Sequence, residues 1–309
     1  MKFIHIGFSV FLIILSVGAQ LIAQNSSTDK FKPAIRIADS LFFAQNWKAA
    51  KPIYETLLSD TSRNGIAWNR LGFCNYQEGD YESALKNYQK ALSTKPSPPV
   101  LATVWSRIAK IQSIKNDKQS ALIALDSAVN NSYSNLGELD TINDFKNLRN
   151  EQKFKDLRSK VYAIAMPCMA DSHAREFDFW VGDWNVYQTG TSTLVGHNLI
   201  QIIADGCGLL ENWTNLGNRT GKSINFIDSN NKWKQSWVGG GNQEFVNGEY
   251  KDGAMRFTFE TTNAQGVKSI GRFIFYNEKP GQVRQFNETS SDGGKTWVTT
   301  YDFTYIKKL

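Results

Sequence analysis

The sequence predicts two domains of different class: an N-terminal stack of antiparallel helices, then an up-and-down antiparallel β-barrel of about ten strands. Three observations predict this. Small and apolar residues recur at helical spacing over residues 31–131, in copies about 34 residues apart. From Phe177 the alternation changes to period two. Turn pairs then punctuate the strand-like runs: Asn247-Gly248, Asp252-Gly253, Gln265-Gly266, Pro280-Gly281 and Asp292-Gly293-Gly294. A chain of 309 residues has room for two such cores.

The first residues, MKFIHIGFSVFLIILSVGAQLIAQ, place one Lys before an uncharged apolar run that ends in small residues. They read as a secretory signal peptide over residues 1–23, with cleavage after Ala19 or Ala23. The expected location is periplasmic or secreted; the alternative is an uncleaved N-terminal membrane anchor. No later segment is apolar and long enough to span a bilayer. Net charge is +6, yet lysines and acids are interspersed and no basic stripe forms, so a nucleic-acid partner is not expected.

In the stretch AWNRLGFCNYQEGDYESALKNYQKALSTKP, the residues Trp68, Leu71, Gly72, Gly79, Tyr81, Ala84, Tyr88, Ala91 and Pro96 carry a resemblance to the tetratricopeptide repeat. Asn75 departs from that pattern, with the aromatic displaced to Tyr76. Physically, Gly72 and Ala84 let two helices approach while the aromatics fill the gap between them. An earlier copy shows Ala50, Tyr54 and Leu57; a later one, slipped by three residues, shows Trp105, Ala109, Ala121, Leu125 and Ala128. Residues 132–165 are apolar at helical spacing from Leu139 to Val161 and are expected to cap the stack. The resemblance implies a peptide groove along the first helix of each pair. Its candidate residues are Asn69, Phe73, Tyr76, Gln77 and Lys110, with Ser113 beside them. The rival expectation is that Phe73 and Tyr76 only pack between repeats.

For residues 170–307, closure into a barrel removes exposed strand edges. The motifs Phe177-Asp178-Phe179-Trp180-x-Gly182-x-Trp184, GCGLLENW, WKQSWV and VRQFNETSSDGGKTW together resemble an uncharacterised bacterial family of exported domains placed with lipocalin-like barrels. That resemblance implies a fold and brings no activity. Cys74 sits in a helical pattern and reads as a buried apolar residue; Cys168 lies in the connector and Cys207 in the β-rich half. Three cysteines allow one intrachain bridge, and Cys168 with Cys207 is the expected pair, as the resemblance also implies.

Alternation assigns an interior. Trp233, Gln235 and Trp237 oppose Lys232 and Lys234; Met255, Phe257 and Phe259 oppose Arg256 and Glu260; Trp297, Thr299, Tyr301, Phe303 and Tyr305 oppose Asp302. Such a wall suits a flat or apolar small molecule, or else fills the barrel outright. Candidate ligand residues are Trp213, Trp237, Gln235, Tyr301, Glu211, Arg272, Arg284 and Glu288. The last two share a face with Phe286 and come inward only if it does. SSDGGKTW resembles the Asp-box hairpin of sialidase propellers, but it occurs once and reads as turn chemistry.

No cofactor, metal or catalytic set is expected. After the leader only His173 and His197 remain, without metal-ligand spacing, and no G-x-S-x-G occurs. The expected function is an exported binding or scaffold protein, the repeats taking a protein or peptide and the barrel a small apolar or aromatic ligand. Two alternatives stand beside it. One is an enzyme using a Glu/Arg pair inside the barrel, of isomerase, cyclase or hydrolase type. The other is a purely structural envelope-assembly protein.

Overall fold

The structure, a computed structural model, describes residues 33–58 and 64–308. The expected signal peptide lies outside the described residues. The chain divides into two compact units between Ala165 and Met166. Among the described residues no helix is long and apolar enough to cross a membrane.

The first unit is helical. Residues 33–43 form α1, followed by α2 (Trp47–Leu57), α3 (Gly65–Gln77), α4 (Tyr81–Ser93), α5 (Pro98–Ile114) and α6 (Lys118–Asn130). Each pair turns in the same way. Gln45, Gly79 and Asn116 adopt left-handed φ of 59°, 78° and 61°. The next residue, Asn46, Asp80 or Asp117, then caps the second helix by accepting from the amide three residues on. These caps stand at 46, 80 and 117, spacings of 34 and 37, so the three-residue slip before Pro98 lies between pairs and leaves each pair intact. Gly72 is required by proximity, since a Cβ there would stand 2.5 Å from the Tyr88 ring.

The expected closing helix is broken. Helix α7 (Leu136–Thr141) stops, a 3-10 turn spans Asn143–Phe145, and α8 (Gln152–Ala165) starts afresh. The Arg149 guanidinium donates to the carbonyls of Leu139 and Ile142. That satisfies acceptors a continuing helix would have used, so the chain can turn there. Leu139, Phe145, Leu148, Phe154, Leu157 and Val161 still close the apolar core.

The second unit opens with α9 (Pro167–Ala170) and a closed antiparallel barrel follows. Its strands are β1 (Gly182–Gln188), β2 (Leu194–Ile203), β3 (Gly208–Asn215), β4 (Thr220–Ile227), β5 (Trp233–Val238), β6 (Asn242–Lys251), β7 (Ala254–Thr262), β8 (Lys268–Lys279), β9 (Gln282–Ser290) and β10 (Val298–Lys307). Sequence neighbours pair throughout, and β1 closes the ring on β10. One 3-10 turn, Ala204–Gly206, interrupts the hairpins, where none was expected.

Two local expectations are corrected. Asp178–Trp180 is a 3-10 turn rather than strand, and it folds Phe177 and Trp180 under the barrel, stacked at 5.1 Å. Asn247-Gly248 is no hairpin turn. It is a bulge inside β6, with Asn247 at φ 56° and a Cβ on Gly248 only 2.5 Å from the Trp233 carbonyl oxygen. Cys168 on α9 bridges Cys207, just ahead of β3, with Cα atoms 5.0 Å apart. Cys74 is free and buried, and burial pushes its thiol up to about 11.

Candidate functional site

The period-two pattern carries aromatic side chains inward, and the two ends of the barrel use them differently. Toward one end Phe177, Trp180, Trp184, Trp233, Phe257 and Phe275 pack into a solid core. Further along the same strands the interior is hollow. A cavity of about 210 Å³ is walled by Trp213, Trp237, Phe245, Phe273, Tyr301 and Phe303, and opens to solvent. Filling and cavity, the two alternatives for the interior, thus share the barrel.

A polar network floors the cavity. Glu211 on β3 lines it and is 3% exposed. Its Oε1 accepts from Asn198 Nδ2 on β2 at 2.6 Å. Its Oε2 accepts from Ser223 Oγ on β4 at 2.7 Å and from Gln235 Nε2 on β5 at 3.3 Å. Tyr305 accepts from Asn198 and donates to Gln285 Oε1 at 3.1 Å. All of these partners are uncharged. Desolvation therefore raises the Glu211 carboxyl to about 7, against the hydrogen bonds from Ser223 and Asn198 that favour its ionised form. Burial and the nearby Glu211 charge likewise raise the hydroxyls of Tyr301 and Tyr305.

Three candidates lie elsewhere. On β9 the buried positions are Val283, Gln285, Asn287 and Ser290, so Arg284 and Glu288 point outward with Phe286. Arg284 forms a two-pronged ion pair with Asp302 at 2.7 and 2.8 Å; Glu288 meets Arg272, half-exposed on β8, at 3.3 Å. Outside, these charges keep their water and their partners, whereas the interior offers neither. Among the described residues no arginine lines the cavity, so the Glu/Arg pair required by the enzyme alternative does not form there between them. Gln285, Asn287, Asn198, Ser223 and Asn225 went unnamed as candidates. Alternation was their signal, since Ser223 and Asn225 oppose Lys222 along β4.

Trp297 also lies outside. The register of β10 shifts between Thr299 and Tyr301, and this bulge reverses which residues face in. Arg272 stacks on the Trp297 ring at 3.9 Å. In the SSDGGKTW hairpin, Asp292 Oδ1 accepts from Ser290 Oγ and from the amides of Lys295 and Thr296, and Oδ2 accepts from Thr296 Oγ1. These bonds hold its carboxyl well below the usual range. Gly293 and Gly294 take φ of 76° and 93°. Asp292, Ser290, Thr296 and the two glycines thus build the turn.

In the helical unit, three of the groove candidates meet the chain's own closing segment. Tyr76 donates to Asp144, Lys110 pairs with Glu138, and Ser113 bonds the Asp144 carbonyl and Asn147. Asn69 accepts from Arg107 at 2.8 Å, and that guanidinium lies 4.1 Å from the Phe73 ring, which stacks on Tyr76. Gln77 is exposed. Residues 138–147 thus engage Tyr76, Lys110 and Ser113, whereas Asn69 and Phe73 meet Arg107.

Residues 65–98 match the tetratricopeptide repeat. The matched repeat takes in α3 and α4, the pair whose close approach depends on Gly72. Tetratricopeptide repeats imply protein partners, and that is the coarse role of the helical unit. No curated protein matches the chain.

Proposed function

We propose that this chain is an exported binding protein whose barrel holds a small, flat, largely apolar molecule while its repeats engage a protein. The observation that carries the ligand half is the hollow interior: about 210 Å³, aromatic-walled, with one convergent polar cluster on its floor. The apolar leader supports export, and the Cys168–Cys207 disulfide suits an oxidising compartment. The aromatic barrel and its Gly182-x-Trp184 motif support the lipocalin-like resemblance. Because Tyr76, Lys110 and Ser113 are engaged by the closing segment, a partner that needs these three residues displaces that segment.

Native mass spectrometry of the protein purified from its host is the test of the ligand half. A bound small molecule released on denaturation is expected, and Phe273→Trp, which fills the cavity, is expected to lose it. Equal ligand loading in that variant would place the ligand elsewhere.

A further inference from the structure

The floor of the cavity has an excess of acceptors. Glu211 receives its three hydrogen bonds from neutral groups, and no Lys, Arg or His lines the cavity. Behind it, outside the cavity wall, Asn198 Oδ1 and Asn225 Oδ1 are buried without a partner among the described residues. The Asn225 amide protons go to Leu209 O and Ser223 Oγ, and the Tyr305 hydroxyl goes to Gln285. A buried carboxylate beside orphaned acceptors is costly unless a donor or a positive charge arrives. The walls agree, since Trp213, Trp237, Phe245, Phe273, Tyr301 and Phe303 line the cavity and the face of an aromatic ring attracts a cation.

We propose that the barrel cavity selects a small aromatic cation, an aryl-alkyl amine or amidine, whose charged nitrogen pairs with the Glu211 carboxylate while its ring lies among the aromatic walls. The proposal rests on the ligand-binding reading above and names its ligand class. The volume, below the roughly 300–1,000 Å³ typical of sites for drug-sized molecules, limits the ligand to one or two fused rings on a short arm. An anionic ligand is disfavoured by the ionised carboxylate, and a neutral one leaves it without a counter-charge. Pairing also makes binding pH-dependent, because only ionised Glu211 attracts the cation. The groups facing it are Asn198 on β2, Ser223 on β4, Gln235 on β5, Gln285 on β9, and Tyr301 and Tyr305 on β10. Of these only the tyrosines titrate, and both stay protonated through neutral pH.

Calorimetric titration of the full chain with tryptamine, tryptophol and indole-3-acetate separates the outcomes. At pH 8 tryptamine is expected to bind at least about tenfold more tightly than neutral tryptophol, with indole-3-acetate weakest. With the carboxyl near 7, lowering the pH to 5.5 leaves it ionised in a few per cent of molecules. The tryptamine affinity then falls about 30-fold and that of tryptophol changes little. Glu211→Gln is expected to remove both the preference and its pH dependence. The wild-type pH series stands by itself if that variant does not fold. Equal affinities for tryptamine and tryptophol at pH 8, or a tryptamine preference unchanged at pH 5.5, overturn the cation assignment and leave the cavity's ligand role standing. Failure of all three probes to bind wild-type protein overturns both.

Discussion

Glu211 sets how the stability of the barrel responds to pH. Its carboxyl ordinarily titrates near 4.5 and is raised to about 7 by burial in the fold. The folded state therefore holds a proton that the unfolded chain releases. The sign follows: the contribution is most favourable below about 4.5 and is lost as pH rises through 7, on the order of 3 kcal/mol in all. Urea denaturation of unliganded protein at pH 5 and pH 8 is expected to show wild type losing stability relative to Glu211→Gln across that interval. Parallel pH dependences in the two proteins would refute it. The residue was visible in the sequence as an acid two places from Trp213 on a period-two pattern. Gln235 was visible as an interior residue too, but Asn198 and Ser223 were not, and only strand register brings the three to Glu211.

At the scale of elements, helix pairs were legible because their signals are local: a cap, a left-handed turn residue and a small residue at the crossing. Gly72→Val places a branched side chain against the Tyr88 ring, where even a Cβ would stand 2.5 Å away. A loss of about 2–3 kcal/mol is expected, read from thermal unfolding followed at a helical wavelength. The closing segment was less legible. Its apolar spacing was read correctly, but the break between α7 and α8 depends on Arg149 reaching back to Leu139 and Ile142. The path over α3 and α5 is held by Glu138 on Lys110 and by Asp144 on Tyr76. Glu138→Ala leaves the Lys110 ammonium nearly buried and unpaired, at an expected cost of about 2 kcal/mol. Hydrogen exchange should quicken over residues 136–147 and leave α4 unchanged. Strand faces were read well where the register ran straight, as along β7 against β8, and failed at the β10 bulge, where one extra residue turned Trp297 outward. For β9, period two offered two faces, and the amide-bearing one proved to be the interior.

Across the whole molecule, the division into a helical unit and a barrel followed from the change of period after Phe177, even though a 3-10 turn delays the first strand to Gly182. The disulfide belongs to the second unit alone, since Cys168 and Cys207 both follow Ala165. It closes a 39-residue separation, for which chain entropy suggests about 4 kcal/mol. Replacing both cysteines by serine is therefore expected to lower the barrel's transition and leave that of the helices in place, as followed by near- and far-ultraviolet dichroism. A matched fall in both transitions would argue against the assignment.

The placement of the spare cysteine bears on how the right bridge is chosen. A newly made chain emerges from its N-terminus, and domains tend to fold in that order. Cys74 belongs to the unit that emerges first, and it is enclosed there with its thiol held near 11, where little thiolate exists to attack a partner. By the time Cys168 and Cys207 emerge, the competitor is already hidden. Pairing is then decided by timing as much as by geometry. Refolding the reduced chain all at once from denaturant exposes the three thiols together and should yield mispaired species that synthesis in sequence avoids.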